Sequence, residues 1–377
     1  MGRTAFRPVI RRQQIMRKVL LRIVFDQLWH LESVGNELLV GYGWMIAAWL
    51  MIAVVSLGVL WRVTRDSKQV FSSLFFWAAI PTAIALIPVT GLPIVQNGIP
   101  LFGYGLMLCI GFMTATFLAS RRAKSVGLNP DVIWDLMMWL MIPGVIGARI
   151  IYLLQNGGRV YADKSGAEIL QATVALWDGG IVFYGGIIGG VVGLLIFCRR
   201  NQIRPLQLGD VIMPSLFFGL GFGRIGCFLY GCCFGGACTL PWAVQFPQDS
   251  MTYAVLSQRG AEFLTPDKTA TIALHPTQVY SSILAFLLAG FLMWFFKRRP
   301  FEGAVLALGW ILYPINRFAL EVIRDDEPGR MGTSLTFSQL MSIGLFVSGC
   351  LLMLWLQKNS SPGQLNGTSR PSPDATS

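Results

Sequence analysis

Apolar runs of about 20 residues recur along the chain, and no other feature restricts its fold as strongly. About 20 consecutive apolar residues are needed for one helix to cross the hydrocarbon core of a bilayer. A membrane β-barrel would instead show alternating segments of about ten residues. With 54% hydrophobic and 13% charged residues, the chain has the composition of a membrane protein. We therefore predict an all-α, polytopic transmembrane helix bundle. The nine runs lie near residues 44–62, 71–95, 100–119, 133–154, 180–198, 209–230, 279–296, 303–323 and 336–356.

The two ends of the chain differ from this pattern. Residues 1–43 are basic, and the alternation of basic and apolar positions over residues 14–32 fits a helix lying on the membrane surface. A basic disordered tail followed by a loop is an equally good interpretation. Residues 358–377 are rich in Ser, Pro, Gly, Asn and Thr, which predicts a disordered tail.

Basic residues in short joints predict the orientation of the bundle, because such joints stay on the cytoplasmic side. The joints 155–179 and 231–278 then lie on the outer side. The same alternation places the basic N-terminus outside, against its own charge, so the arrangement of the first two helices stays open. The basic joints contain Arg121, Arg122 and Lys124, then Arg199, Arg200 and Arg204, then Lys297, Arg298 and Arg299.

Polar residues within the apolar runs all fall at the predicted outer end. An ionised side chain at membrane depth costs at least a few kcal/mol, so it needs a partner or a function. Arg317, Glu321 and Arg324 have the spacing of one helix face, with Tyr313 one turn earlier. The outer set comprises Tyr104, Arg149, Tyr184, Arg224, His275, Arg317, Glu321 and Arg324.

Four arginines in this set face a single carboxylate, which leaves unbalanced positive charge. In one interpretation Glu321 pairs with one arginine and the others extend to the lipid headgroups. In the other, an anion completes the set, and a phosphate fits the planar guanidinium fork well. At membrane depth that phosphate would belong to a lipid headgroup, so a phospholipid substrate is our hypothesis.

Several strings in the chain resemble the prolipoprotein diacylglyceryl transferase family. GLGFGRIGCFLYGCCFGG at 219–236 resembles the family signature around an essential arginine. Asp210 also falls where the family carries an acidic residue. Further matching strings are YGLM at 104–107, GVIGARIIY at 144–152, GGIVFYGG at 179–186, HPTQVY at 275–280 and YPINRFALEVIRDDEPG at 313–329.

The resemblance implies an enzyme of the bacterial inner (plasma) membrane with its active site on the extracytoplasmic side. Such an enzyme moves the sn-1,2-diacylglyceryl group from phosphatidylglycerol to the lipobox cysteine of a prolipoprotein signal peptide, forming a thioether and releasing glycerol phosphate. Its partners are these two substrates and membrane lipids; no cofactor, metal or nucleic acid is expected. Residues 97–357 would form a seven-helix core, and residues 44–96 two additional transmembrane helices.

The resemblance also assigns the candidate site. Arg224 and Arg317 would grip the phosphate, and Tyr184 and Tyr104 complete the catalytic set. The substrate-binding candidates are Arg149, Asp210, Gly226, Gly235, His275, Gln278, Tyr313, Glu321 and Arg324.

The chain departs from the family pattern at Tyr184, at two cysteine positions, and at Ser281, which follows HPTQVY where a glutamate is usual. Tyr184 stands where many members carry a histidine, and a phenol, whose ordinary pKa is near 10, is a poor base at neutral pH. The acceptor of the thiol proton is therefore open between Tyr184, His275 and water. Cys227 replaces the signature asparagine, and Cys232 stands where a glutamate is common.

Four cysteines, Cys227, Cys232, Cys233 and Cys238, cluster on the predicted oxidising side. They are most simply explained as small residues that pack closely, a structural disulfide is also plausible, and a catalytic thiol relay is less favoured. A zinc site is less favoured by the sequence, because there is no C-x-x-C pair and histidine is scarce.

Two other function classes fit part of the sequence. Arginines in helices also line the paths of anion transporters. Such a path requires polar residues through the whole bilayer depth, and the inner halves of these runs are apolar, with Asp210 near the inner face as the main exception. The departure at Tyr184 also fits a catalytically inactive relative that binds lipid.

Overall fold

The structure is a computed structural model that describes residues 19–34, 37–64, 67–90, 98–162, 164–175, 180, 182–324 and 335–359. The basic residues before position 19 and the tail from residue 360 onward lie outside the described residues. The predictions made for those two segments therefore remain predictions.

Helices dominate the described chain, and each of the nine apolar runs corresponds to one of them. Five described helices are long and apolar enough to cross a membrane: α3, α4, α7, α9 and the Ser338–Asn359 part of α11. Two shorter apolar stretches lie in α1 and α2. The predicted all-α polytopic bundle is confirmed. The helices are α1 Tyr42–Thr64, α2 Ser67–Leu86, α3 Gly103–Ser125, α4 Asp131–Val160, α5 Ala167–Val174, α6 Phe183–Arg200, α7 Pro205–Tyr230, α8 Met251–Arg259, α9 Thr277–Phe296, α10 Ala304–Glu321 and α11 Phe337–Asn359.

A small sheet precedes the helices and corrects one prediction. The surface helix expected over residues 14–32 is absent from its described part, where Val19–Val24 forms a strand and residues 25–30 form an irregular connection to the next strand. The segment VLLRIV of β1 is rich in residues that favour strands, and it pairs with a segment far along the chain that local patterning does not reveal. Arg22 Nε also lies 2.8 Å from Glu37 Oε2 on the neighbouring strand. The strands are β1 Val19–Val24, β2 Leu31–Val34, β3 Glu37–Gly41 and β4 Ile99–Phe102, in the order β2-β3-β1-β4.

The chain forms two compact units. The first comprises residues 1–109 and 223–279, and the second residues 110–222 and 280–377. The first unit contains the sheet, α1 and α2, and a small apolar core within the long joint 231–278. That core consists of Phe234, Phe246, Leu256 and Leu274, all buried.

In the second unit, glycines let α4 and α6 pack backbone against backbone. A Cβ atom added at Gly147, Gly185 or Gly189 would collide with the facing backbone. Small residues at such a crossing are typical of membrane helix packing, where close approach supplies the contact energy.

The three basic joints meet at one end of the second unit. Gln207 donates from Nε2 to the carbonyl of Val126 at 3.4 Å, which links the joint after α3 to the start of α7. Arg204 pairs with Glu302 at 2.8 Å, which links the joint after α6 to the joint after α9. These contacts support the expectation that the three joints lie on one side of the membrane, which stays a prediction.

Asp210 anchors the start of α10 at this end. Its buried carboxylate accepts hydrogen bonds from the backbone N–H groups of Gly303 (2.8 Å) and Leu306 (2.9 Å), which are orphan donors at a helix N-terminus. Arg299 Nε lies 3.6 Å from the same carboxylate. These contacts favour a structural role over the predicted substrate-binding role, which stays a prediction.

We expect Asp210→Asn to lower the free energy of unfolding by about 1–3 kcal/mol, because one buried donor loses its acceptor and Arg299 loses its counter-charge. Thermal unfolding of the purified full chain in detergent measures this change. The control is Asp131→Asn, an exposed residue in the first turn of α4, for which less than about 1 kcal/mol is expected. Equal shifts for the two variants would contradict the anchoring role.

Candidate active site

Helix α7 ends in a turn that brings two cysteines together. The N–H of Cys232 donates to the carbonyl of Cys227 (3.1 Å), and the N–H of Gly231 donates to that of Phe228 (3.2 Å). Gly231 has a positive φ of 73°. This is the hydrogen-bond pattern of a Schellman helix end, in which glycine supplies the left-handed conformation. Cys233 also has a positive φ, 60°, which turns the chain again.

The sulfur atoms of Cys227, Cys232 and Cys233 lie within 4.8 Å of one another, and all three residues are partly buried. We call these three residues the cysteine cluster. All seven cysteines lie in the described part of the chain, where none of them forms a disulfide. Cys238 is buried outside the cluster, where its sulfur accepts from the N–H of Leu240 at 3.4 Å.

Two side chains of the HPTQVY string hold the cysteine cluster in place. Thr277 donates from its hydroxyl to the carbonyl of Cys233 (2.8 Å), and Gln278 donates from Nε2 to the carbonyl of Cys232 (2.5 Å). The Oε1 atom of Gln278 is buried and accepts no hydrogen bond from the described residues. Gln278, a predicted substrate-binding residue, thus presents one unsatisfied acceptor beside the cluster.

Gly235 and His275 extend this contact. The N–H of Gly235 donates to the carbonyl of His275 (3.1 Å), and that of His275 donates to the carbonyl of Gly236 (3.0 Å). A Cβ atom on Gly235 would lie 2.7 Å from side-chain atoms of both His275 and Thr277. The absence of a side chain at Gly235 is therefore what lets the two segments meet.

Tyr104 and Arg224 lie beside the cysteine cluster. A Cβ atom on Gly226 would come within 2.9 Å of the Tyr104 ring, so glycine gives that ring its space. The ring centroid of Tyr104 lies 6.4 Å from that of Tyr230, and Tyr104 is 39% exposed. Arg224 lies on α7, one helical turn before Cys227.

Arg224 differs from the other predicted arginines in its bonding. It is partly buried, and within the described part of the chain no hydrogen bond or ion pair engages its guanidinium. A partly buried cation in this state is costly unless an external anion or water satisfies it. Its five N–H donors are therefore available for an anionic ligand.

The cysteine cluster does not favour a thiol relay. Hydrogen bonds with Cys227 and Cys233, together with burial, raise the pKa of Cys232 above its usual range. Since the thiolate is the reactive form, such a thiol is a poor nucleophile at neutral pH.

In the second unit, Arg317, Glu321 and Arg324 form the predicted charged group. Arg317 forms a hydrogen-bonded ion pair with Glu321, and Arg324 Nε lies 3.8 Å from the same carboxylate. Arg317 also donates to the hydroxyl of Ser338 (2.8 Å), and Thr336 donates to Glu321 (3.1 Å). The side chain of Glu321 is only 1% exposed. This group fastens the end of α10 to the start of α11.

Arg149 binds carbonyl oxygens of the joint after α4. It donates to Thr173 (3.0 Å), Gly180 (2.9 Å) and Ala172 (2.6 Å). Its guanidinium thus organises the segment around α5, and this geometry favours a positioning role over a direct contact with phosphate.

The two remaining tyrosines occupy different surroundings. Tyr184 lies in the first turn of α6 and is 43% exposed. Tyr313 packs against the apolar core of the second unit, with its ring 6.0 Å from that of Phe217.

The predicted residues thus fall into two groups, one in each unit. Arg224, Tyr104, Gly226, Gly235, His275 and Gln278 belong to the first, and Arg149, Tyr184, Asp210, Tyr313, Arg317, Glu321 and Arg324 to the second. The predicted convergence of all the arginines on one phosphate stays a prediction. Sequence reasoning missed the partners Thr277, Thr336 and Ser338; of these, Thr277 stood inside a motif that had been recognised.

A comparison with known families supplies the context for these residues. The family model described as prolipoprotein diacylglyceryl transferase matches residues 93–355, which is more than half of the chain. The chain belongs to this family. The predicted resemblance is confirmed, and both the signature helix and the HPTQVY string lie within the matched family domain.

Three relatives carry the name phosphatidylglycerol–prolipoprotein diacylglyceryl transferase. The chain is 34% identical to that of Clostridium tetani over 66% of this chain and 93% of the relative. It is 33% identical to enzyme 2 of Clostridium perfringens over 68% and 91%. It is 29% identical to the protein of Rhodopirellula baltica over 94% and 93%. The last match must take in most of the residues before position 93.

Proposed function

We propose that this membrane protein transfers the diacylglyceryl group of phosphatidylglycerol to the lipobox cysteine thiol of a prolipoprotein. Family membership and the names of the relatives support this function. The observation that carries it is Arg224, a partly buried guanidinium without a partner among the described residues, on the signature helix. A lipid phosphate is the ligand that such a group suits best.

The reaction is a displacement at carbon. The thiol sulfur forms a bond to the terminal glyceryl carbon, and the bond from that carbon to the phosphate oxygen breaks. The electron pair of the broken bond remains on the phosphate oxygen, which leaves as glycerol phosphate, and the thiol proton passes to solvent. Arg224 would stabilise the charge that develops on the departing phosphate, where a fixed donor is worth most.

Most other candidate residues would act by positioning. Gly235, His275 and Gln278 hold the loop after the signature helix, and Arg149 holds the joint after α4. Arg317 and Arg324 are already engaged by Glu321. Tyr104, which is partly exposed beside Arg224, is the further residue that we place at the headgroup.

The proposed location is the bacterial inner membrane, with the reaction on the extracytoplasmic side. Basic joints stay in the cytoplasm, and the three basic joints gather at one end of the second unit, where α7 begins. Arg224 lies near the other end of α7. Accessibility labelling of single cysteines introduced at Arg200 and at Arg224 should report opposite sides.

Complementation tests the function directly. We would express the chain in bacteria depleted of their own transferase and measure a reporter lipoprotein by mass spectrometry. A gain of one diacylglyceryl group on the reporter is expected, and a reporter with serine at the lipobox position should gain nothing. Normal membrane insertion without any lipidation would instead indicate an inactive lipid-binding relative.

Tyr184 provides a narrower test in the same assay. We expect Tyr184→Phe to lower the rate of lipidation by about tenfold or less, since it removes one phenolic hydrogen bond and leaves the ring in place. A loss of several hundredfold would show that the phenol is the proton acceptor. Tyr152→Phe, in the neighbouring helix α4, is the matched control.

A further inference from the structure

We propose that Cys227, Cys232 and Cys233 bind one zinc ion, and that the fourth position of this ion takes the lipobox thiol of the prolipoprotein. The site itself is inferred from the cysteine cluster. Its role in catalysis rests on the proposed function.

The donor atoms have the chemistry and nearly the spacing that zinc requires. Zinc binds thiolates at about 2.3 Å in a tetrahedron, which separates neighbouring sulfur atoms by about 3.8 Å. The three sulfur atoms lie within 4.8 Å of one another, so a small side-chain adjustment would bring them onto one ion.

The backbone beneath these atoms is already fixed. The Schellman turn sets Cys232 beside Cys227. The hydroxyl of Thr277 then holds the carbonyl of Cys233, and the amide of Gln278 holds the carbonyl of Cys232. A site whose ligands are held before binding loses less conformational freedom when the ion arrives.

The number of ligands distinguishes this site from a structural zinc site. Structural sites have four protein ligands, whereas catalytic sites have three and keep a position for water or substrate. The group found among the described residues supplies three ligand atoms, and its residues are only partly buried. The open position can therefore accept an external thiol.

The charge of the neighbourhood also fits. One zinc ion with three thiolates carries a net charge of −1, and Arg224 lies one helical turn before Cys227. The guanidinium would offset that charge and, in the proposed reaction, would hold the lipid phosphate close to the bound sulfur. Such a displacement is faster when the sulfur is held at reacting distance from the glyceryl carbon, on the side opposite the departing phosphate oxygen.

Zinc would provide a way to ionise the lipobox thiol of the substrate. This chain needs one because Tyr184, which stands where many family members carry a histidine, is a poor base at neutral pH. A thiol that coordinates zinc does so as thiolate and releases its proton to water. A sulfur electron pair then forms the carbon–sulfur bond as the carbon–oxygen bond to phosphate breaks. The product is a neutral thioether, a weaker ligand, which leaves the ion. Zinc keeps its oxidation state throughout.

Metal content of the purified full chain tests the site without reference to activity. After equilibration with zinc and removal of the excess, we expect about one zinc per chain by elemental mass spectrometry. Cys227→Ser, Cys232→Ser and Cys233→Ser should each lower that value several-fold, and Cys238→Ser should leave it unchanged. No bound zinc, equal retention in all four variants, or a disulfide within the cluster in the intact mass would each overturn the proposal.

Cobalt substitution tests the open position. Cobalt in the site should give a thiolate charge-transfer absorption in the near ultraviolet. A lipobox peptide should shift this absorption, and the same peptide with serine for cysteine should not. An equal response to both peptides would overturn the binding of the substrate thiol.

Lipidation separates this proposal from the proposed function. The three cluster variants should lose lipidation by on the order of 100-fold, and Arg224→Ala should lose lipidation but keep its zinc. Normal lipidation in variants that have lost zinc would refute the catalytic role and leave the transferase intact. Zinc binding by a wild-type chain that never lipidates would refute the transferase and leave the metal site.

Discussion

Replacement of Arg224 by alanine should lower lipidation of a reporter prolipoprotein by about 100-fold or more, with normal insertion into the membrane. Loss of one fixed donor to a developing negative charge has an effect of this size. Among the four predicted site arginines, Arg224 is the one whose guanidinium no described residue engages. Arg224→Lys should recover only part of the activity, because an ammonium keeps the charge and loses the planar fork. Mass spectrometry of the reporter measures both variants.

The control for this experiment is Arg159→Ala. Arg159 is an exposed residue in the last turn of α4, so its loss removes a positive charge with little other effect, and lipidation should change by less than about twofold. Comparable losses for the two arginines would point to net charge as the cause. Retention of activity by Arg224→Ala would refute the proposed site.

Replacement of Glu321 by glutamine should lower the free energy of unfolding by about 3–5 kcal/mol. The side chain is 1% exposed and faces Arg317 and Arg324, so the change leaves two arginines without their buried counter-charge. The loss of one partner from a buried ion pair has a cost of this size. Thermal unfolding of the purified chain in detergent measures it, and lipidation should fall together with the folded fraction.

Glu302→Gln is the matched control. Glu302 pairs with Arg204 at 2.8 Å; the Glu302 side chain is 13% exposed, but that of Arg204 is 61% exposed. Because water screens Arg204, the loss of this pair should cost about 0–1 kcal/mol. If Glu321→Gln unfolds at the wild-type temperature, the charged group does not hold α10 to α11 as described.

The sequence predicted the helices well, because continuous apolar runs are a direct requirement of crossing lipid. The boundaries were less accurate where the chain changes conformation without changing polarity. The run expected at 100–119 begins as strand β4 and becomes helix only at Gly103. The sheet itself was missed because β1 finds its partner Ile99–Phe102 far along the chain, and local composition carries no record of such a pairing.

The site was predicted only in part, again because contacts between distant residues are not visible in the sequence. The motifs identified Arg224 and its neighbours, but a one-dimensional pattern does not reveal which carbonyl or carboxylate each guanidinium contacts. Arg317 was therefore predicted to grip the phosphate together with Arg224, and Arg149 to bind substrate, although in the structure both of these arginines bind protein groups. The sequence disfavoured a zinc site because a C-x-x-C pair is missing. The grouping of the three sulfur atoms, on which our zinc proposal rests, depends on the Schellman turn that folds Cys232 back onto Cys227.

The small sheet combines strands from inside and outside the matched family domain, and this affects the start of α3. Strand β4 lies within the matched family domain, whereas its partner β1 lies before that domain. β4 runs directly into α3, and Tyr104 is the second residue of that helix. A shortened chain beginning at residue 93 would lack β1. The backbone N–H and C=O groups of β4 that pair with β1 would then be exposed, directly before the helix that carries Tyr104. The residues before the family domain therefore support the start of α3, and loss of β1 should disturb the position of Tyr104, the residue that we propose to lie at the lipid headgroup.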